Sequence, residues 1–342
     1  MKNLELDKYN NDKNMKQLAN YLLNIDCPIY ISGHINADYD SLCSSLTLAV
    51  ALSKIGKKVK VLFDEDAQIL YSRADINGFD DLICTQLDNN DKDYACVLCD
   101  MNVSRRSNFE SVFFNAKYKV NIDHHDNNKM LTDIKYVDAN AGANCENILK
   151  LILQLEKMQK VSILNKSVCC LLSMGIITDT SNIVKSSNLE QTNWAINIIK
   201  SFDVDINKIA DLVYLNLNEE QQLIYKLTLK NKHTFDNISY YYIDEKQLKD
   251  IKVIHNDYSM VLSKILEQDT NPIVLYEQRG DDSSIWEFRS SNPNELPVNE
   301  IALLLGGGGH KNASGATIKD KTSMQVVEAF INYFKDEAID IA

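Results

Sequence analysis

The chain has 342 residues, a formal net charge of −12 at pH 7, 45% hydrophobic residues and 25% charged residues. This length is sufficient for two domains that each bury a core, and the composition is that of a folded protein. The negative charge opposes broad binding to long nucleic acid or to an anionic membrane, because such binding depends on many lysine and arginine contacts. Any phosphate-bearing substrate must therefore be held locally, by metals and a few cations.

The 8 cysteines are scattered, and several lie inside apolar runs, among them Cys43, Cys96, Cys169 and Cys170. This pattern favours buried, reduced thiols over a disulfide framework. The polar N-terminal segment lacks the apolar core of a signal peptide, and no stretch supplies the roughly 18 apolar residues of a membrane span. We expect a cytoplasmic location and no membrane partner.

The first half of the chain alternates strands with helices. After a helix over 13–24, strands are predicted at 27–32, 58–63, 94–100 and 117–123. The helix that follows the first strand has apolar residues at helical spacing and ends near Gly56. The segment between the second and third strands is predicted to be irregular with one short helix. Later helices are predicted from Asn144 and over 166–180, the latter buried on all sides. This alternation predicts a mainly parallel sheet covered by helices.

The second half changes pattern after a helical stretch. Strands are predicted at 239–243, 272–278 and 284–291, followed by a short helix, the segment LLLGGGGHKNASGATI and an amphipathic helix at 323–335. A Gly280-Asp281-Asp282 turn joins the last two strands as a hairpin. We predict a first domain at 1–200, a helical connector at 201–229 and a second domain at 230–342.

Acidic and histidine side chains follow successive apolar elements of the first domain. They are His34, Asp38 and Asp40 after the first strand, Asp100 after the third, Asp123, His124 and His125 after the fourth, and Asp179 at the end of the buried helix. Because parallel strands end at one edge of a sheet, these groups are expected to converge. Imidazoles and carboxylates without cysteine favour Mn²⁺ or a similar ion over a structural zinc site. A bridging carboxylate suits two metals about 3.5–4 Å apart, the arrangement that phosphoryl chemistry uses.

Each group taken alone has a simpler explanation. Asp38 and Asp40 lie just before a helix, where an aspartate is often a cap. Arg105 and Arg106 could contact phosphate or belong to a solvated loop. The joint occurrence of the acids and histidines is what favours a metal site.

Five motifs along the chain, in the same order as in the family, resemble those of the DHH phosphoesterases of the RecJ type. The resemblance is closest to the two-domain oligoribonuclease and phosphoadenosine-phosphate phosphatase branch with a DHHA1 domain. The motifs are GHINADYDS (33–41), Asp100 in VLCDMN, IDHHDNN (122–128), GIITDTSN (175–182), and GGGGHKNASG (306–315) preceded by FRSS (288–291). The resemblance covers nearly the whole chain. It implies an α/β DHH domain, a helical connector, a smaller mixed α/β DHHA1 domain and an active site in the cleft between the domains.

The resemblance also implies residue roles and two divalent metal ions, expected to be Mn²⁺. One ion would be held by His34, Asp38 and Asp100, and the other by Asp40, Asp100, His124 and Asp179. Asp123 would orient ligands, and His125 would face the scissile phosphate. Substrate would be bound by Arg289, Ser290, Gly307, Gly308, Gly309 and His310, with Arg289 and His310 also assisting catalysis. Glycines allow close backbone approach to an anion, and arginine can hold phosphate bidentately. By turn chemistry alone, the less favoured alternative for GGGGH is a flexible hinge or a helix stop.

The chain departs from the family pattern at five positions, none of which is a ligand. They are Ala37, Tyr39, Cys43, Asn182 and Ile183. Tyr39 could alter substrate access or stack on a base. The departures bear on substrate preference rather than on metal binding.

These features predict a metal-dependent phosphohydrolase. Its expected substrates are the end of a short single-stranded oligoribonucleotide and the 3′-phosphate of adenosine 3′,5′-bisphosphate. One alternative is a hydrolase of another small phosphate, such as a cyclic dinucleotide, pyrophosphate or polyphosphate. The other is a non-catalytic nucleotide-binding protein, which the full ligand set disfavours because clustered carboxylates repel one another. The oligomeric state is open, and a homodimer is one option.

Overall fold

The structure is a computed structural model that describes residues 12–74, 76–183, 186–215, 217–248, 251 and 255–335. The chain divides into two compact units, Met1–Asn216 (unit 1) and Leu217–Ala342 (unit 2). The predicted connector, 201–229, spans this boundary.

Unit 1 alternates strands and helices. Its strands are β1 (Ile29–Ser32), β2 (Val59–Leu62), β3 (Ile83–Cys84), β4 (Ala95–Cys99), β5 (Tyr118–Asp123) and β6 (Ile134–Val137). Its α-helices are α1 (Lys13–Asn24), α2 (Tyr39–Lys54), α3 (Glu65–Arg73), α4 (Glu110–Asn115), α5 (Asn144–Gln159), α6 (Lys166–Asp179), α7 (Leu189–Lys200) and α8 (Ile206–Ala210). The described residues of the unit also form two 3₁₀ turns (Asp80–Leu82, Ser104–Arg106) and a π-helical turn (Asp211–Leu215).

The four predicted strands of unit 1 are confirmed as β1, β2, β4 and β5. The segment after β2, predicted to be irregular with one short helix, contains that helix, α3, and also a short strand that was not predicted. Ile83 and Cys84 pair with Val61 and Leu62 as the edge strand β3. Two residues are too few to show an alternating pattern, so only the pairing defines this strand.

The six strands found among the described residues of unit 1 all pair in parallel, in the order β3-β2-β1-β4-β5-β6. This confirms the parallel sheet. The chain runs outward from β1 to β3 and then returns to β4 on the other side of β1, so the strand order reverses between β1 and β4. Ligands bind outside the carboxyl ends of strands at such a reversal.

Helix α2 is buried along nearly its whole length and packs against α5 and α6. Side chains such as Leu46 and Leu48 are fully buried, which stabilises the fold by roughly 1.5–3 kcal/mol each. The helix ends as predicted at Gly56, whose φ of 85° is left-handed and whose N–H bonds to the Ser53 carbonyl. The all-round burial predicted for α6 is also observed. The start of α2 is thereby held firmly beside the ends of β1 and β4.

Unit 2 is a mixed sheet with helices on both faces. Its elements are α9 (Glu219–Lys230), β7 (Lys232–Phe235), β8 (Ile238–Asp244), a 3₁₀ turn (Glu245–Leu248), α10 (His255–Gln268), β9 (Ile273–Arg279), β10 (Ser284–Ser290), α11 (Asn299–Leu304), β11 (Gly308–Gly309), β12 (Ala313–Ile318) and α12 (Ser323–Phe334). The strand order is β11-β12-β10-β9-β8-β7, antiparallel except for the parallel pair β8 and β9.

The predicted hairpin of β9 and β10 and the predicted final helix are confirmed in unit 2. The sequence did not predict β7, α10, β11 or β12. Small residues hide β12, because ASGATI carries no alternation of large apolar side chains, yet the whole of β12 pairs with β10. In the part of the chain that the structure describes, no helix combines the length and apolarity needed to cross a bilayer.

Candidate metal centre

The carboxyl ends of three neighbouring strands carry the acids and histidines singled out in the sequence. His34 follows β1, Asp100 follows β4 directly, and Asp123 ends β5 just before His124. The structure gathers the six predicted metal ligands into two groups, each with ligand atoms within 4.8 Å of one another: His34, Asp38 and Asp100, and Asp40, His124 and Asp179. The side chains therefore converge where the strand order reverses.

Asp100 lies between the two groups. Its Oδ2 is 3.3 Å from His34 Nε2, and its Oδ1 is 3.3 Å from His124 Nε2. Its backbone is left-handed, with φ of 58°, and its N–H bonds to the Ile122 carbonyl. Such a backbone is uncommon outside glycine, although aspartate tolerates it better than most residues. One carboxylate thus offers an oxygen to each group.

The first group is built around the start of α2. Asp38 Oδ1 accepts a hydrogen bond from Ser41 N and caps the helix, while its Oδ2 lies 3.5 Å from His34 Nε2. The capping role and the proposed ligand role are thus compatible in one side chain. The Ser41 hydroxyl accepts the His34 N–H at 2.9 Å, and a Cβ on Gly33 would lie 2.1 Å from that hydroxyl. Glycine is required at position 33 because of this close approach.

The second group depends on Asp40, which is fully buried. Its two carboxylate oxygens accept the backbone N–H groups of Asn144 at 2.6 Å and Cys145 at 2.9 Å. Asp40 therefore caps α5, whose own N-cap residue makes no side-chain hydrogen bond. His124 Nε2 lies 3.9 Å from Asp40 Oδ2 and 3.4 Å from Asp179 Oδ2.

Gly175 on α6 allows Asp40 to sit this close. A Cβ there would lie 2.8 Å from Asp40 Oδ1 and 2.4 Å from Cys145 Sγ. Gly175 begins the motif GIITDTSN, but the motif gave it no role, because a glycine inside an apolar helix gives no local signal of what packs against it. The contact shows that α6 holds the second group in place.

Both ligand histidines direct Nε2 towards the carboxylates. His34 Nδ1 contacts the Ile35 carbonyl at 2.7 Å, and His124 Nδ1 contacts the Ala141 carbonyl at 3.2 Å. A carbonyl partner places the proton on Nδ1 and leaves the Nε2 lone pair for a metal. This orientation is the usual one for imidazole ligands.

Asp123 holds His125 instead of joining either group. Its Oδ1 lies 2.7 Å from His125 Nδ1, and its Oδ2 accepts a hydrogen bond from Asn128 at 2.6 Å. Asp123 is fully buried, whereas the side chain of His125 is 18% exposed. Asp126 lies in the exposed loop that follows. The supporting contact of Asn128 was not predicted from the sequence.

Burial and mutual repulsion disturb the ionisation of the cluster. Burial and the Asp100 carboxylate raise the pKa of Asp40 to about 7, and burial raises the pKa of Asp179 well above its usual value. Burial lowers the pKa of His34, but the charge of Asp38 outweighs this effect and the pKa rises to about 10. A cluster that cannot ionise fully without cost is one that cations would stabilise.

The donor set fits a pair of divalent cations. Asp100 Oδ1 is buried and forms no hydrogen bond with any described residue. Carboxylate oxygens and imidazole nitrogens, with no thiolate among them, suit Mn²⁺ and similar ions. All 8 cysteines are free thiols, and neither Cys96 nor Cys99, both buried in β4, belongs to a ligand group.

A buried hydrogen-bond network supports the loop that holds His124. Glu146 on α5 accepts hydrogen bonds from Gln191 and Thr192 on α7, and burial raises the pKa of Glu146. A Cβ on Gly142 would lie 3.0 Å from Glu146 Oε1, so the loop beside Ala141 packs tightly on this network. The sequence did not identify these residues, because only the packing of α7 on α5 joins them.

In unit 2, the predicted substrate-binding strand residues are buried. The Arg289 guanidinium bonds to Glu287 on the same strand face and to Ser259 Oγ on α10 at 3.0 Å. Arg289 is 8% exposed and Glu287 is 5% exposed. Ser290 is fully buried, and its hydroxyl accepts the Asn292 N–H at 3.1 Å. The charge of Arg289 is therefore balanced within unit 2.

The glycine run of unit 2 has a different task at each position. Gly306 ends α11 with φ of 79°, and the Gly307 N–H bonds to the Ala302 carbonyl, as in a Schellman motif. A Cβ on Gly307 or Gly309 would lie within 2.6 Å of a β12 carbonyl, whereas a Cβ on Gly308 would meet nothing within 4 Å. The run is thus a helix stop that continues into β11.

His310 follows the glycine run in an exposed turn. Its N–H and carbonyl both bond to Ala313, which closes the turn into β12. The predicted residues of unit 2 therefore lie on and beside three adjacent strands, β11, β12 and β10.

Comparison with known proteins places these features in a family. Two family models match the chain: the N-terminal domain of the DHH family over residues 28–176, and the DHHA1 domain over residues 237–338. The bifunctional oligoribonuclease and PAP phosphatase NrnA of Mycoplasma pneumoniae is 30% identical over 229 residues, which cover 66% of this chain and 68% of that protein.

Two solved structures share the fold. An exopolyphosphatase-related protein from Bacteroides fragilis has a TM-score of 0.72 at 18% identity, covering 94% of this chain and 96% of that one. RecJ in complex with Mn²⁺ from Thermus thermophilus has a TM-score of 0.58 at 12% identity, covering 96% of this chain and 55% of that one. The resemblance inferred from the motifs is confirmed, and the chain belongs to the DHH/DHHA1 phosphoesterase family, in the branch that contains NrnA.

Proposed function

We propose that this protein is a metal-dependent phosphohydrolase that shortens small oligoribonucleotides from one end and removes the 3′-phosphate of adenosine 3′,5′-bisphosphate. The carrying observation is Asp100, whose two oxygens face the histidines of two separate ligand groups. The name of the Mycoplasma pneumoniae relative, an oligoribonuclease and PAP phosphatase, supports the choice of substrates. The net charge of −12 favours such small substrates over long nucleic acid.

We propose that Mn²⁺ fills both positions. His34, Asp38 and Asp100 would hold one ion, and Asp40, Asp100, His124 and Asp179 would hold the other. Such a pair of ions would neutralise phosphate charge and would supply a water-derived nucleophile at neutral pH. The nitrogen and oxygen donors support this choice, as does the Mn²⁺ of the related RecJ structure.

The side chains of the chain provide fixed geometry for this reaction. Asp38 and Asp40 are held by the ends of α2 and α5, so their oxygens are positioned before substrate arrives. Asp123 fixes the ring of His125 through Nδ1 and directs Nε2 away from itself. We propose that His125 contacts the scissile phosphate with Nε2.

For unit 2 we propose substrate contacts by Arg289, Ser290, Gly307, Gly308, Gly309 and His310. At Gly308 the position that a Cβ would occupy is open, so an anion can approach the backbone closely on that side. Arg289 keeps unused N–H donors beyond those given to Glu287, Ser259 and the Phe288 carbonyl. A cytoplasmic location and a homodimer stay predictions.

The test is a substrate panel with Mn²⁺. The purified protein is incubated with adenosine 3′,5′-bisphosphate, di- to pentaribonucleotides, pyrophosphate, polyphosphate, cyclic di-AMP and single-stranded DNA. We expect turnover of the first two classes and none by His124→Ala or Asp100→Ala, with Asp126→Ala as the matched control. Absence of Mn²⁺-dependent turnover of every compound would disprove the enzyme, and turnover of pyrophosphate or polyphosphate alone would disprove the nucleotide substrates.

A further inference from the structure

Arg106 lies in the 3₁₀ turn that follows Asp100, directly beside the first ligand group. Its backbone carbonyl accepts the Ile35 N–H at 2.6 Å, and the Ile35 carbonyl in turn contacts His34 Nδ1 at 2.7 Å. Two hydrogen-bond contacts therefore connect the turn to the ring of a metal ligand. The turn cannot shift far without moving His34.

The side chain of Arg106 is partly buried, yet its guanidinium makes no hydrogen bond or ion pair with any residue that the structure describes. The positive charge is near enough to His34 to act against the rise in the pKa of that imidazole. The arginines of unit 2 differ, because Arg289 pairs with Glu287 and Arg279 pairs with Glu277. Partly burying an arginine without a partner is unfavourable unless something else satisfies its donors.

The charges of the metal centre indicate what kind of group would pair with the Arg106 guanidinium. Four carboxylates, those of Asp38, Asp40, Asp100 and Asp179, would balance two divalent cations. A substrate phosphate then brings negative charge that the ligand set leaves unbalanced. The chain has 48 acidic and 36 basic residues, so acidic groups predominate. The partly buried Arg106 supplies positive charge at this edge of the sheet, where it could balance the charge of a substrate phosphate.

We infer that Arg106 binds a non-bridging oxygen of the substrate phosphate on the His34 side of the metal centre. This inference rests on the proposed function and adds to it a residue that distinguishes substrates. A terminal phosphomonoester carries up to two negative charges, whereas an internal phosphodiester carries one. Arg106 therefore favours adenosine 3′,5′-bisphosphate over a dinucleotide, because a charge-assisted bond is stronger to the more charged phosphate.

The experiment compares Arg106→Ala with Arg105→Ala, the exposed neighbour in the same turn. For Arg106→Ala we expect kcat/KM for adenosine 3′,5′-bisphosphate to fall roughly 10- to 100-fold, the usual range for a hydrogen bond to a charged group. We expect a smaller fall for a diribonucleotide and a partial recovery in Arg106→Lys. Arg105→Ala should match the unaltered protein in both reactions.

Two binding measurements separate this role from a structural one. Calorimetric titration with Mn²⁺ in the absence of substrate should give the same affinity for Arg106→Ala as for the unaltered protein. Titration of the Mn²⁺-loaded proteins with inorganic phosphate should show weaker binding to Arg106→Ala only.

The inference is overturned if Arg106→Ala matches Arg105→Ala in the phosphate titration, or if it loses Mn²⁺ and phosphate affinity together. It is also overturned if both substrates are affected equally. If the unaltered protein cleaves neither nucleotide but binds phosphate in an Arg106-dependent way, the proposed function fails while the phosphate contact stands.

Discussion

Buried charge is arranged differently in the metal centre of unit 1 and in the sheet of unit 2. In unit 2, buried carboxylates are paired with cations, as Glu287 is with the buried Arg289 and Asp269 is with the exposed Lys232. In the metal centre of unit 1, the carboxylates outnumber the cationic groups around them. Burial and the Asp100 carboxylate raise the pKa of Asp40 to about 7. An unbalanced buried cluster indicates that cations complete it, whereas balanced pairs hold a shape.

Loss of the shared ligand should have the largest effect. Asp100→Asn removes the charge that lies between both ligand groups, so we expect both metal positions to weaken together. The kcat for adenosine 3′,5′-bisphosphate should fall on the order of 1,000-fold or more, since metal ions supply several kcal/mol of transition-state stabilisation. Steady-state kinetics and calorimetric Mn²⁺ titration measure the two effects. Asp126→Asn, in the exposed loop, is the control, and full activity of Asp100→Asn would contradict a shared site.

Replacement of glycine by alanine should have different effects at Gly175, which is tightly packed in unit 1, and at Gly308, which has open space in unit 2. Gly175→Ala would place a Cβ 2.8 Å from Asp40 Oδ1, whereas Gly308→Ala meets nothing within 4 Å. We expect Gly175→Ala to lower the free energy of unfolding by about 1–3 kcal/mol, as overpacking does, and to weaken Mn²⁺ binding. Gly308→Ala should fold with unchanged stability. Thermal unfolding measures both, and equal behaviour of the two variants would refute this contrast.

The stability of the metal-free protein should fall as pH rises, and Mn²⁺ should offset this loss. The folded pKa of Asp40, about 7, exceeds its ordinary value of 3.8, so the metal-free folded state binds the proton more tightly and loses stability as pH rises from about 4 to 7. His34 acts in the same direction, because its stabilising contribution is complete below 6.5 and disappears as pH rises towards about 10.

We therefore expect the Tm of the metal-free protein to fall between pH 5 and pH 8, and the Tm increase on adding Mn²⁺ to be larger at pH 8, where the ligands are deprotonated. Scanning fluorimetry with and without a chelator measures this. Asp40→Asn should flatten part of the metal-free slope. A metal-free Tm that rises over this range would contradict the assignment.

The smallest effect is expected from removing the carboxylate charge that pairs with Arg289 in unit 2. Glu287→Gln keeps a hydrogen-bond acceptor for Arg289 but removes the opposing charge, so Arg289 becomes more available to phosphate. We expect a several-fold decrease in KM for adenosine 3′,5′-bisphosphate, a modest loss of Tm and no change in Mn²⁺ affinity. A change in Mn²⁺ affinity equal to that of Asp100→Asn would show that the two regions are not separable.

Much of unit 1 could be predicted from the sequence. Strands β1 and β4 are nearly continuous apolar runs, whereas β2 and β5 alternate apolar with polar residues. A parallel sheet follows from the alternation of these strands with helices. The clustering of His34, Asp100 and His124 follows in turn, because parallel strands end at one edge. Unit 2 was harder, since β12 is made of small residues and β11 consists of two glycines.

The sequence by itself determined the family, the parallel sheet and the set of acids and histidines, because these are properties of residue type and spacing along the chain. Only the tertiary structure decided which oxygen of Asp100 meets which histidine, that Gly175 makes room for Asp40, and that Glu287 balances Arg289. It also decided that Arg106 stands beside His34 without a partner among the described residues. These relations join residues from separate elements, and their physical origin is packing and charge at short distance, which no local pattern records.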